Sequence, residues 1–231
     1  MAVALGCILS GIDIRDYIFK FIAGDDIPDS YSVPYKSKVL SQGKYGTCSA
    51  CALSTSLCLA NKMKNKTAKT YSYSFIFANR RAKDYQGEGL VYRQALHNLN
   101  HDGDCLLSNF FYIGTYQKLK EKITDKHRKL AKSNTIKAYY KLNSEKAIKY
   151  CLMKYGAVVA ALNVYKDLST WNNAPTEKSE LWGTHGMSLV GWDEFGWIFQ
   201  NSHGTKFGDK GLCHIAYDYP ILEWWGFEIN F

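Results

Sequence analysis

The sequence predicts an α+β protein built as two lobes, helical first and β-rich second. Three observations carry this. Apolar residues make up 46% and charged residues 22% of 231 positions, a globular balance that fits neither a disordered chain, a collagen-like repeat nor a disulfide miniprotein. From Cys48 to about Met63 the apolar residues Ala50, Leu53, Leu57 and Ala60 recur at helical spacing. Beyond Gly156 the pattern switches to short β-rich runs separated by Gly, Asp and Asn turns. The length suits one large domain or two small lobes sharing an interface.

In chain order, the longest apolar run, Met1 to Ile12, is too short to span a bilayer and has no basic flank to make it a strong secretory signal. Tyr17 to Ile22 alternates and is strongly apolar, so it is expected to pack as an extra strand or arm on the β-rich lobe. The alternative is that Met1 to Gly11 reaches into a cleft and regulates it. The acidic turn Gly24-Asp25-Asp26 closes this first segment, 1–26, and Ile27-Pro28-Asp29 opens the main domain, 27–231. A glycine-containing loop precedes Thr47, the expected N-cap of the first long helix. Cys48 then sits in the first turn, where free N–H groups and the helix dipole favour a thiolate. Further helices are expected at Val91–Leu99 and Ser144–Tyr155. Strands are expected at 157–162, 187–192, 197–200 and 212–216. The helical lobe would cover about 27–135 and the β-rich lobe about 136–231.

The formal charge of +8 is concentrated. Residues 117–154 hold 12 Lys or Arg against 3 Asp or Glu, and the rest of the chain is nearly neutral. Such a segment is compatible with nucleic acid or another anionic partner, but a solvated helical face is the preferred reading. Seven cysteines are an odd number, and no second CxxC stands at zinc spacing from Cys48–Cys51. A thioredoxin-like site is disfavoured because loop, not strand, precedes the motif. No metal or cofactor is expected.

Three residues stand out by their surroundings. Cys48 follows Gln42-Gly43-Lys44-Tyr45-Gly46-Thr47 at a helix start, His185 precedes a strand, and Asn201 follows one. A thiol nucleophile needs a base for its proton, and the base needs a group that fixes its ring. Cys, His and Asn supply those roles, and a Gln amide near the nucleophile can bind an oxyanion.

The stretch Gln42-Gly43-x-x-Gly46-x-Cys48-x-Ala50, the stretch His185-Gly186-x-x-Leu189-Val190-Gly191-Trp192, and Asn201-Ser202-His203-Gly204 resemble the three motifs of the papain-like cysteine peptidases. Ile27 to Ser32 is similar to the mature amino terminus of that family. The resemblance is strongest to bacterial and viral members without a long propeptide, through Asp13-Ile14-Arg15-Asp16-Tyr17, Glu88-Gly89-x-x-x-Arg93 and Ile215 to Tyr219. It implies a papain-like two-lobe fold with the active site between the lobes. It also implies a cysteine endopeptidase with Cys48 as nucleophile, His185 as general base and acid, Asn201 as its orienter and Gln42 as oxyanion donor. A thiolate–imidazolium pair is expected. Substrate would lie along Gly89, Ala161 and Thr184; these small or apolar surroundings suggest an apolar side chain at the second residue before the cut.

Two departures matter. Tyr45 stands where the family has a disulfide-forming Cys, so all seven cysteines are expected as free thiols and a reducing compartment or virion is favoured over secretion. His203 stands where the family has a Trp that shields the His–Asn bond from water. The expected partner is a protein or peptide substrate, with no membrane span and a monomeric chain. Rival functions are a thiol transferase or deamidase on the same fold, and a binding protein that uses the basic segment.

Overall fold

The computed structural model describes residues 5–19, 26–80, 88–165 and 180–231. Residues 1–4, positions 20–22 of the apolar stretch, and Gly24 and Asp25 of the acidic turn lie outside the described residues. The elements in chain order are β1 (Cys7–Ile8), β2 (Tyr31–Ser32), α1 (Cys48–Asn65), α2 (Tyr73–Ala78), β3 (Leu90–Val91), α3 (Tyr92–His101), α4 (Tyr116–Lys120) and α5 (Asp125–Ala131). They continue with β4 (Ile136–Lys141), α6 (Glu145–Tyr155), β5 (Val158–Tyr165), β6 (Leu181–Asp193), β7 (Gly196–Gln200), β8 (Leu212–Ile215) and β9 (Ile221–Ile229). The class is α+β.

α1 starts at Cys48 as expected and ends at Asn65, where Lys66 turns left-handed and its N–H returns to the Lys62 carbonyl. Every residue from Cys48 to Asn61 is buried, so the helix is enclosed on all sides instead of resting one face on a core. That explains its many small residues. Its hydroxyls are spent internally: Ser54 Oγ donates to the Tyr71 carbonyl at 2.7 Å, and Ser56 Oγ to the Val158 carbonyl at 3.3 Å. α6 forms where a helix is expected and is framed by local chemistry: the Ser144 hydroxyl accepts from Ala147 N–H, and Gly156, at φ 66, closes the helix.

Seven strands form one antiparallel sheet of order β4-β9-β5-β6-β7-β8, with β2 added to β6. β5 alternates between two cores. Val158, Ala160, Leu162 and Val164 face the cluster containing α6, Trp192 and Trp197, while Val159 and Ala161 face the cluster containing α1, α2 and α3. β4 and β9 lie outside the expected strands. β4 sits inside the basic segment, whose lysines mask its apolar positions. The segment itself does not form one stripe: it runs through α4, α5, β4 and α6, and Lys137, Lys141 and Lys149 pair with Glu228, Glu223 and Glu145. No helix among the described residues is long and apolar enough to cross a membrane.

The amino-terminal segment touches both halves of the fold. Ile18 bridges to Lys141 on β4, and Phe19 packs edge-on against Tyr140 and Tyr155. Tyr17 stays exposed, so the anchoring at this end comes from Phe19. Further upstream, β1 pairs in parallel with β3.

α1 is pinned to β6 by a buried hydroxyl pair, Ser56 Oγ to Ser188 Oγ at 2.7 Å. Ser56→Ala leaves the Ser188 hydroxyl buried without this partner and should cost about 1–3 kcal/mol. Adding Ser188→Ala removes both polar groups, so the double variant should lose less than the sum of the single variants. Urea denaturation midpoints with unchanged slopes measure both; strict additivity would dissolve the pin.

Candidate active site

Cys48 opens α1 with its sulfur fully buried. Thr47 occupies the N-cap but makes no capping bond from its side chain; its hydroxyl instead lies 3.9 Å from Cys51 Sγ. The sulfur receives the Gly6 N–H at 3.2 Å and a backbone hydrogen bond from Gly186, the neighbour of His185 on β6. So β6 brings the histidine strand against the head of α1.

The imidazole is held from behind. His185 Nε2 lies 2.8 Å from Asn201 Oδ1, and that same oxygen accepts the Ser202 N–H at 2.7 Å. An atom that accepts from a backbone N–H is the amide oxygen, so Nε2 must be the donor to it. Nδ1 is then the ring's lone-pair nitrogen, buried and without a hydrogen-bond partner among the described residues. The tautomer therefore follows from the network, and it leaves a base aimed away from Asn201.

Gln42 belongs to the same network. Its backbone N–H donates to the Ser202 carbonyl at 2.9 Å, Ser202 Oγ donates to its Oε1 at 2.6 Å, and its Nε2 donates to the Tyr45 carbonyl at 3.0 Å. The loop before Cys48 and the loop after β7 are thus laced together through Ser202. His203, in the place of the family's Trp, stacks on His185 with ring centroids 5.1 Å apart and planes 10° from parallel. A neutral imidazole takes the shielding position.

The electrostatics differ from the expected thiolate–imidazolium pair. Burial pushes the Cys48 thiol up, against the hydrogen bonds from Gly186, Gly6 and Ser49. Desolvation pulls His185 down to about 4, only partly offset by Asn201. Both directions favour a neutral thiol beside a neutral imidazole. The cause is burial, and residues 5–10 are the segment that lies against Cys48. Its Gly6 carbonyl accepts from Leu90 N–H at 2.9 Å and from Ser49 Oγ at 3.4 Å, and a Cβ at Gly6 would run into the Gly46 carbonyl.

The expected substrate-binding residues lie under this segment. Gly89, at φ +115, has Ile8 against it, and Gly183, next to Thr184, has Leu5 against it. Ala161 is buried, opposite Gly186 on one side and Glu223 on the other. The Cys7 thiol is buried among Ser49, Tyr92 and Glu223. The surroundings are therefore more polar than the small, apolar lining expected, because β9 contributes Glu223. Glu223 accepts from Ser10 N–H and Oγ at 3.3 and 3.2 Å and from Lys141 Nζ at 3.2 Å. Sequence reading missed Gly6, Cys7, Ser10 and Glu223. Only the alternative reading of Met1 to Gly11 points to the first three.

All seven cysteines are free and buried. Cys51 is pushed up by burial, and Cys58, pushed up to about 11, donates to the Lys69 carbonyl. Neither has the surroundings of a redox thiol. No group of three or more His, Cys, Asp or Glu among the described residues could hold a metal ion.

A family profile described as papain family cysteine protease matches residues 27–221. A cathepsin B-like cysteine proteinase of Ostertagia ostertagi is 34% identical over 34% of this chain and 25% of its own length; the chain thus matches about a quarter of the length of that curated relative. Among solved structures, xylellain, a cysteine protease from Xylella fastidiosa, superposes with a TM-score of 0.85 at 22% identity, covering 97% of this chain and 96% of that one. The bromelain protease of Ananas comosus gives 0.70 at 18% identity, covering 88% and 100%. These superpositions establish the fold as the papain-like two-lobe fold.

The stacked imidazoles carry a pH signature. His185 is depressed to about 4 and His203 to about 3, the second by desolvation and then by the neighbouring ring. From about pH 6.5 down to about 4 the unfolded chain binds more protons than the folded one, so stability falls as pH drops through that window. His203→Phe keeps a ring on His185 and removes one titrating group. Its melting temperature should fall less steeply over the same range; equal slopes would show that His203 takes no part in the acid lability.

Proposed function

Because the chain belongs to the papain family of cysteine proteases, we propose that it is a cysteine peptidase with Cys48 as nucleophile. The observation that carries this reading is the 2.8 Å bond from His185 to an Asn201 oxygen identified by the Ser202 N–H, which presents Nδ1 as a base. With the cleft open to a peptide, Nδ1 takes the Cys48 proton and Sγ attacks the scissile carbonyl. The charge that develops on that oxygen faces the uncapped N–H groups at the head of α1 and the Gln42 side chain, which Ser202 orients. His185 then hands its proton to the departing amine. Water, deprotonated by the same ring, releases the acyl group from sulfur and restores the thiol. Asn201 turns the ring and supports its charged form.

In this reading the resting protein is latent. Residues 5–10 lie where substrate would lie, with the Gly6 N–H on the nucleophile and the Cys7 side chain in the pocket beside Glu223. By excluding water, the segment also keeps the thiol and imidazole neutral, which holds the nucleophile in its weak form. The regulator is short and lies within 1–26, while residues 17–19 rest on β4. The substrates are proteins or peptides.

An epoxide-type thiol-protease probe should label Cys48 and no other cysteine. Cys48→Ala should abolish both labelling and hydrolysis with the fold intact by circular dichroism. Gln42→Ala should lower turnover by roughly 10²–10³; turnover equal to wild type would remove Gln42 from the mechanism. Gly6→Ala places a methyl group against the Gly46 carbonyl only while the segment is in the cleft. It should therefore raise initial hydrolysis of a small peptide and hasten probe labelling. A variant no faster than wild type in both assays would overturn latency.

A further inference from the structure

Two short motifs of the sequence are Asp13-Ile14-Arg15-Asp16-Tyr17 and Glu88-Gly89-x-x-x-Arg93, and neither Asp16 nor Arg93 has a place in the mechanism. The fold joins them to each other. Arg93 Nε and Nη2 each donate at 2.6 Å to the two carboxylate oxygens of Asp16, a parallel two-point pair. The same guanidinium donates from Nη1 to the Ser10 carbonyl and from Nη2 to the Gly11 carbonyl at 2.8 Å, and the Arg93 backbone N–H meets Ser10 Oγ at 3.3 Å. Arg93 stands in the first turn of α3, directly after β3, the strand that pairs with the covering segment.

The pair is the one ion pair among the described residues that joins residues 5–19 to the rest of the chain; Asp13–Arg15 is internal to the segment. Both side chains are mostly withdrawn from water, with 21% and 10% exposure, so the attraction is screened less than on an open surface. In the cleft itself the segment is held by neutral hydrogen bonds at Gly6 and by longer bonds from Ser10 to the Glu223 carboxylate, at 3.3 and 3.2 Å against 2.6 Å for the Asp16–Arg93 pair. The neutral bonds are individually weaker than a short two-point ion pair.

We propose that the Asp16–Arg93 pair is the clasp of a reversible lid. It sets the fraction of chains whose cleft is open, and the segment leaves and returns uncut. The inference rests on the reading that residues 5–10 cover a catalytic Cys48. Arg93 is a positioning residue: it acts on the nucleophile only through the segment it holds.

The test uses the full chain and two readouts, the rate of Cys48 alkylation by iodoacetamide and the hydrolysis of a small fluorogenic peptide. Asp16→Ala should speed both by roughly tenfold, the factor made by about 1.4 kcal/mol. The swapped pair Asp16→Arg with Arg93→Asp should return both towards wild type, which loss of packing alone would not do. Added sodium chloride should speed alkylation of the wild type and leave Asp16→Ala flat, a readout that holds even if the swapped chain folds poorly. An Asp16→Ala protein alkylated at the wild-type rate, with no salt dependence in either, overturns the clasp and leaves the peptidase reading standing. Alkylation that follows the expected pattern while no protein hydrolyses peptide supports the clasp and overturns the peptidase reading instead.

Discussion

The enclosure of α1 is the constraint on which the rest of the structure depends. A helix buried from Cys48 to Asn61 cannot offer a polar face to water, so its side chains must be small, apolar or internally bonded. It lies between the two cores, contributing Leu53 and Leu57 to one and Leu59 to the other. Its position fixes where its amino end emerges, and Cys48 is that end. β6, held by the Ser56–Ser188 contact, is laid along the same helix and carries His185 to it. The geometry of the candidate site is therefore inherited from the packing of the middle of the molecule.

Around that axis a single polar thread ties the site. It runs from Tyr45 through Gln42 and Ser202 to Asn201 and His185. The Ser202 N–H identifies the Asn201 oxygen, and that acceptor decides which imidazole nitrogen carries the proton. Above the thread the stacked His203 supplies the shielding of a larger aromatic ring without its indole N–H. It is a base itself, so the site gains a second group that acid can charge.

Much of this was legible in the sequence, for identifiable reasons. α1, α3 and α6 were expected in the sequence, and the structure adds the Ser144 and Gly156 caps around α6. Cys48, Asn201 and Gln42 are readable because each sits at a helix start or a turn with constrained neighbours; His185, expected ahead of a strand, lies within β6 and is readable through Gly183 and Gly186 beside it. β9 was hidden because Trp224, Trp225 and Gly226 break its alternation, and β4 because lysines interrupt it. Glu223 went with β9. The neutral state of the thiol and imidazole was not legible either, since it depends on burial by residues distant along the chain, such as Gly6, 42 positions from Cys48. Local pattern does not encode that distance.

In the proposed latent state, the parallel pairing of β1 with β3 means that the cleft's occupant and its receptor belong to one molecule. Such an occupant does not dilute. Its local concentration is set by the chain between Ile8 and Phe19 and stands at roughly millimolar whatever the protein concentration. A competing peptide meets this as a constant opposing presence, felt as weaker apparent binding and not as a slower chemical step. A microscopic compartment holding one copy of the protein and a crowded test tube would then have the same fraction of open clefts.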